Sequence, residues 1–553
     1  MFLRVFAVTG LLAGLFAAVP PSLRAQEAPR LVVFISIDQM RSDYIDRYGS
    51  RWTGGLKRLA LEGARFVEAA YPYLNTVTCA GHATMSTGTF PATHGMVLNA
   101  WWDRTAGKDL ACTEDDSKQS IGYHNPQAKS GGHSAGLLLA HTFADELRGQ
   151  ASRPPRIVSL SMKPRSAIML AGRQADAVLW YEPTTGLTTS TAYTDKPVPF
   201  VEAFVKANPM EKEYANTWTR LLPDSDYLYE DEGEGERPPN GWTKAFPHTV
   251  TTPLPDGRRA SHWSSTPFAD HYLARLAMTA VDELKMGRSP GTDYLAVSFS
   301  VLDSTGHAFG PRSHEVQDTL HRLDRTIGEL LAHLDKQVGS GRYVVAVTGD
   351  HGVSPIPEQS VRLGLGGGRV DLKDLTSKLE ELLSARLGAG KYISRVAYTD
   401  LYFAPGVYDK LKQNPGLTRE LLSTIEQVPG IARVLLRDQL SDPPATDDPV
   451  IRAARLSYLP SRSGDVILVP KPYWLMSTAA ATHGTNHGYD RHVPVLFYGA
   501  GIRPGRYWQD ASPADIAPTL AALCGITLAR TDGQVLSAAL ESAPRAERQS
   551  AGR

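Results

Sequence analysis

From Leu31 to Ile37 the chain reads LVVFISI, an apolar and β-branched run without alternation, and it stops on a carboxylate, Asp38. Uninterrupted runs of this kind predict strands buried on both faces, as in the interior of a parallel sheet. Comparable runs lie at 156–160, 294–301, 343–347 and 493–498. Between them the period changes. From His314 to Leu334 the residues Val316, Leu320, Leu323, Ile327 and Leu331 fall at helical spacing, and 268–284 reads as a second helix. Strands alternating with helices predict an α/β fold with a mainly parallel sheet sandwiched by helices. Functional groups in such sheets collect on the loops that follow the carboxyl ends of strands.

Two stretches depart from this rhythm and are expected as insertions capping the core. One, at about 200–263, is rich in Pro, Trp and acid; the other, at about 371–440, has a small α/β rhythm of its own. The remainder of 26–545 reads as one catalytic unit, followed by a polar, disordered tail at 546–553. The acidic run EDEGEGE at 230–236 lacks the spacing of a calcium loop and reads as solvated.

With 42% hydrophobic and 21% charged residues over 553 positions, the composition is globular and excludes a disordered chain. Lys plus Arg number 58 and Asp plus Glu also 58, so no global field draws the protein to nucleic acid or anionic membrane. Residues 1–25 read as a signal peptide: Arg4, an apolar stretch from Val5 to Val19 that falls short of the ~20 residues of a spanning helix, and small Ala25. A periplasmic or secreted location follows, with no membrane span later in the chain. Three cysteines, Cys79, Cys112 and Cys524, are too few for a disulfide scaffold or a zinc knuckle; Cys79 and Cys112 can pair in an oxidising compartment, leaving at least one thiol over. No heptad or apolar stripe marks an obligate dimer, so a monomer is expected.

The most specific signal is where carboxylates and histidines fall. Asp38 follows LVVFISI, Asp303 follows LAVSFSVL, Asp350 and His351 follow YVVAVTG, and His483 lies in THGTNHGYD. A carboxylate at the end of a buried apolar strand needs a partner to offset its desolvation. Asp303 and His307 stand one helical turn apart, on one face. Imidazole and carboxylate suit zinc, and six such residues make two sites; a metal pair can hold the attacking and leaving oxygens of an in-line phosphoryl displacement. In YPYLNTVTCAGHATMSTG, Thr78 sits where a helix should begin, and from local sequence it reads equally as a helix cap or as an activated nucleophile. Cys79 is the rival nucleophile.

Together SIDQM, NTVTCAGHATMSTG, SMKPR, DSTGH, TGDHG and HGTNHGYDRHVP resemble the alkaline phosphatase superfamily, and within it the monoesterases that use Thr as nucleophile. The resemblance implies two zinc ions, one held by Asp303, His307 and His483, the other by Asp38, Asp350 and His351 beside Thr78. It also implies a covalent phosphothreonine intermediate, with Asn99, Lys163 and Arg165 binding the phosphoryl oxygens of small phosphate monoesters. His487 is the alternative sixth ligand, because nucleotide pyrophosphatase relatives place a ligand His directly before a Gly-Tyr pair. The competing readings are a phosphodiesterase or nucleotide pyrophosphatase on the same scaffold, phosphonoacetate hydrolysis, and a phosphoethanolamine-type transferase. Lys163 and Arg165 argue for the monoesterase.

Overall fold

The computed structural model describes residues 27–128, 130–250, 258–441 and 446–541. The expected signal peptide and the tail at 546–553 lie outside the described residues.

Strands in chain order are β1 (Leu31–Ile37), β2 (Ala64–Phe66), β3 (Ser120–Gly122), β4 (Ile157–Ser161), β5 (Ala177–Glu182), β6 (Gly186–Ser190), β7 (Asp293–Phe299), β8 (Tyr343–Thr348), β9 (Ile393–Ala397), β10 (Asp400–Phe403), β11 (Ile431–Leu436), β12 (Val466–Pro470), β13 (Val495–Gly499) and β14 (Gly505–Tyr507). A 10-stranded sheet takes the order β14-β2-β13-β8-β1-β7-β4-β5-β6-β3. Its middle strands β8, β1, β7, β4 and β5 run parallel. At either side the pairing turns antiparallel, through β13 on one and β6 on the other.

β1 explains the unbroken apolar run. Leu31, Val33, Ile35 and Ile37 join the core on one face, and Val32 and Phe34 join the core on the other. All are fully buried, and each such side chain contributes roughly 1.5–3 kcal/mol of transfer free energy. The helices that cover the sheet and carry the site are α1 (Thr78–Thr87), α2 (Pro164–Ala171), α3 (Pro267–Glu283), α4 (Val301–Phe309) and α5 (His314–Leu334). The apolar run predicted to extend to Val301 ends at Phe299 because Asp270 of α3 accepts the backbone N–H groups of Ser300 and Val301 at 3.0 and 3.4 Å. That turns the chain into α4.

The small α/β rhythm is a separate four-stranded sheet, β9-β10-β12-β11, with its own apolar core. It runs past the expected boundary near 440, since β12 returns to pair with β10 and β11 on both sides. The other departing stretch packs on α5: Trp218 Nε1 donates to Asp318 Oδ1 at 2.7 Å, around an aromatic cluster of Trp218, Trp242, Phe246 and His248. The acidic run is only partly solvated. Glu230, Glu232 and Glu234 are exposed, whereas Glu236 is buried and its carboxyl is pushed up to about 8 by that burial.

In this unit His248 Nε2 meets Glu315 Oε1 at 2.8 Å, both side chains fully buried. Burial pushes the Glu315 carboxyl up to about 10 and the His248 imidazole down to about 4, so acid and base meet uncharged. Between about pH 6.5 and 10 the folded Glu315 holds a proton that the unfolded state has lost, and stability falls as pH rises across that window; from about pH 4.5 to 6.5 the unfolded His248 holds one that the folded imidazole lacks, and the two offset. Thermal melts at several pH values should show wild-type Tm declining toward alkaline pH, and Glu315→Gln flattening the decline. An equal slope in both proteins would contradict a protonated Glu315.

Candidate active site

Five of the six predicted metal ligands stand at the carboxyl end of a central strand or on the helix that follows one. Asp38 leaves β1, and its N–H donates to the Phe299 carbonyl of β7 at 2.9 Å. Asp303 and His307 lie on α4 after β7, and Asp350 and His351 follow β8. His483 reaches in from a distant loop. Two groups result, Asp303 with His307 and His483, and Asp38 with Asp350 and His351, in each of which the ligand atoms lie within 4.8 Å of one another.

The imidazoles are oriented from behind. Nδ1 of His307 lies 2.8 Å from the Ala481 carbonyl, Nδ1 of His351 2.9 Å from that of Gly352, and Nδ1 of His483 2.9 Å from that of Thr76. A carbonyl only accepts, so each Nδ1 carries the proton and each Nε2 turns a lone pair toward the carboxylates. His307 Nε2 is 3.2 Å from Asp303 Oδ1, and His351 Nε2 is 3.3 Å from Asp350 Oδ2. Burial, then the neighbouring His351 and His307, hold the His483 imidazole well below its usual value and therefore neutral. His487 is not among them: its Nε2 lies 3.0 Å from the Pro470 carbonyl.

The charge balance also asks for cations. Burial, then the charges of Asp303 and Asp350, push the Asp38 carboxyl well above the ordinary carboxylate range. Asp38 Oδ1 and Asp350 Oδ2 are buried without a hydrogen bond. Lys163 Nζ spans the two groups, 2.6 Å from Asp38 Oδ2 and 2.5 Å from Asp303 Oδ2. Against the cost of burial, Asp303 and then Asp38 hold that ammonium above the usual lysine value. One ammonium among three buried carboxylates leaves a net negative site, so a metal ion fits each group.

Thr78 is the first residue of α1, with Val77 as its extended cap residue and no side-chain cap bond. The plain helix-cap reading is thereby corrected: Thr78 comes one position too late to cap, and its Oγ1 instead faces His351 Nε2 at 3.4 Å. Cys79 is bonded to Cys112 and is no longer a competing nucleophile, while Cys524 is the free thiol. Asn99 sits between the two half-cystines. Its Oδ1 accepts the Cys79 N–H at 2.8 Å and its backbone carbonyl accepts the Cys112 N–H at 3.0 Å. Lys163 and Arg165 come from the start of α2, and Nε of Arg165 is buried without a protein partner.

Two supporting residues escaped the sequence reading. Gln39 donates from its backbone N–H to Asp350 Oδ1 at 3.0 Å and from Nε2 to Asp303 Oδ1 at 2.8 Å, tying one group to the other. His82, one turn after Thr78 on α1, places Nδ1 2.9 Å from the Thr78 carbonyl and Nε2 2.9 Å from Ser298 Oγ. The signal for His82 was its i+4 spacing from Thr78 on a helix otherwise rich in small residues.

Residues 32–490 match the model of the type I phosphodiesterase / nucleotide pyrophosphatase family. Over 539 residues, 95% of each chain, the sequence is 32% identical to alkaline phosphatase PafA of Elizabethkingia meningoseptica. It is 33% identical over 92% of its length, and 93% of the relative's, to alkaline phosphatase PhoV of Synechococcus elongatus. The crystal structure of PafA superposes with a TM-score of 0.86, covering 94% of this chain and 100% of the other at 30% identity. A variant of PafA substituted at a threonine, an asparagine, a lysine and an arginine matches at a TM-score of 0.87.

Proposed function

The chain belongs to the type I phosphodiesterase / nucleotide pyrophosphatase family, within the alkaline phosphatase superfamily, and we propose from this membership and from Lys163 and Arg165 that it hydrolyses phosphate monoesters through Thr78. It is a phosphoric monoester hydrolase, an alkaline phosphatase. The four residue types substituted together in the PafA variant follow the same chain order as Thr78, Asn99, Lys163 and Arg165.

The metals are two zinc ions, one held by Asp303, His307 and His483 and one by Asp38, Asp350 and His351, each a small set of imidazole and carboxylate donors. Bound there, zinc supplies Lewis-acid charge that lowers the pKa of a neighbouring hydroxyl and offsets charge on the reacting oxygens. Thr78 Oγ1 attacks phosphorus, the bond to the ester oxygen breaks, and the alcohol departs, leaving phosphothreonine. Water then attacks the same phosphorus from the opposite side; the Thr78 oxygen is released as its hydroxyl and phosphate leaves. His82 and Val77 hold the start of α1, so the hydroxyl stays aimed at the site.

Selectivity comes from charge. Arg165 offers two parallel donors and Lys163 a compact ammonium to nonbridging oxygens, while the Asn99 amide nitrogen adds a neutral donor. A dianionic monoester satisfies all three; a diester presents one fewer charged oxygen and leaves a desolvated cation unpaired. The single observation that carries the reading is the partly buried Lys163 Nζ between the two ligand groups. Purified protein should turn over p-nitrophenyl phosphate with kcat/KM at least about 100-fold above the bis-ester, the lower bound for two charge-assisted bonds. A reversed preference would overturn the monoesterase, and metal analysis should return two zinc ions per chain.

The start of the chain and the half-cystine pair support export to the periplasm or beyond, where that bond persists. Among the described residues no helix is long and apolar enough to cross a membrane. The protein acts as a monomer.

A further inference from the structure

Two positions before Thr78, Thr76 is fully buried and meets the loop that carries His483 at two points. Its carbonyl accepts the His483 Nδ1–H at 2.9 Å, and its Oγ1 donates to the Thr485 carbonyl at 2.7 Å. Between these contacts Gly484 takes φ 112°, a conformation that glycine adopts at little steric cost and side chains rarely adopt. A ligand histidine beside such a pivot is aimed only as well as its neighbours are held. Thr485 is held from its other side too, since its N–H and Oγ1 both meet the buried Asp490 Oδ2, at 3.0 and 2.5 Å.

Thr76 is itself anchored. The Leu74 and Asn75 N–H groups both donate to Ser457 Oγ at 3.0 Å, at the end of the helix Pro449–Ser457, and Asn75 Oδ1 accepts the Thr399 hydroxyl at 3.1 Å. Segment 74–78 thus enters α1 already fastened. Resting on the two-zinc reading of the site, we infer that Thr76 is a positioning residue: its hydroxyl clasps the loop at Thr485 and so holds His483 in the group formed with Asp303 and His307. Its backbone runs on into Thr78, so one short segment sets both the nucleophile and a ligand of the α4 group.

Thr76→Val removes the hydroxyl while keeping the branched shape and the carbonyl that His483 meets; Thr76→Ser keeps the hydroxyl. Zinc is withdrawn from each full-length protein by a graded chelator, and the site that His483→Ala lacks identifies the α4 group. In Thr76→Val that site should bind zinc about 10- to 100-fold more weakly, the usual cost of losing a group that orients a ligand, while the other site stays within about twofold of wild type. Thr76→Ser should stay within about twofold at both sites. Wild-type affinity at the α4 group in Thr76→Val, equal weakening of both sites, or the same weakening in Thr76→Ser would overturn the inference. Wild-type protein that held no zinc would overturn the two-zinc reading instead. Hydrogen exchange over 482–487 then decides the clasp: exchange about tenfold faster in Thr76→Val than in wild type upholds it, and equal exchange overturns it.

Discussion

Thr78→Ala should turn over p-nitrophenyl phosphate at less than about one ten-thousandth of the wild-type rate while keeping its metals, since losses of that order follow removal of a nucleophile that acts as a unit with its neighbours. Stability should hardly change. Thr78 makes no cap bond, its Oγ1 contact to His351 is long, and alanine is well tolerated at a first helical position. Zinc content measured alongside the rate separates the chemistry from the scaffold, because all six ligand side chains remain. Rapid quenching of wild-type protein with a labelled monoester should trap one phosphoryl group per chain on Thr78. Appreciable steady-state turnover by the alanine variant would show that another oxygen attacks.

The second large effect is a change of preference. Replacing Lys163 and Arg165 together by alanine should lower kcat/KM for the monoester by about 100- to 10,000-fold, as expected for two charge-assisted bonds of about 1.5–3 kcal/mol each. The bis-ester should lose less than about tenfold, because it lacks the second negative charge that these cations would meet. The gap between the esters narrows, and that narrowing distinguishes recognition from a collapsed site. Equal losses on both esters would assign Lys163 to holding Asp38 and Asp303 apart.

The strand-end carboxylates were legible because each follows an apolar run long enough to be read and stands where a buried charge needs compensation. Asp303 and His307 were legible by their spacing. In sequence His483 was favoured over His487 only by its spacing to Tyr489 and Asp490, since both precede a glycine; in the fold His483 joins Asp303 and His307, while His487 Nε2 turns to the Pro470 carbonyl. The edges of the large sheet were invisible for another reason. β2 and β14 are three residues each, too short to show a period, and they are held by pairing that forms only once distant segments meet. The extent of the small sheet was hidden likewise, since β12 is apolar enough to belong to either sheet until its neighbours are known. Gln39 and His82 were passed over because polar residues one step from a ligand carry no pattern of their own.

Asp38 and His483 stand 445 positions apart (483 − 38), and the two ligand groups interleave along the chain between them. Synthesis therefore delivers Asp38, Asp350 and His351 well before His483, so one group is complete while the other still lacks a member. Metal affinity rewards only the finished molecule. A product cut between His351 and His483 keeps the parallel middle of its large sheet but leaves the group built on α4 without one member, so filling of both groups would report that the whole chain has emerged and closed.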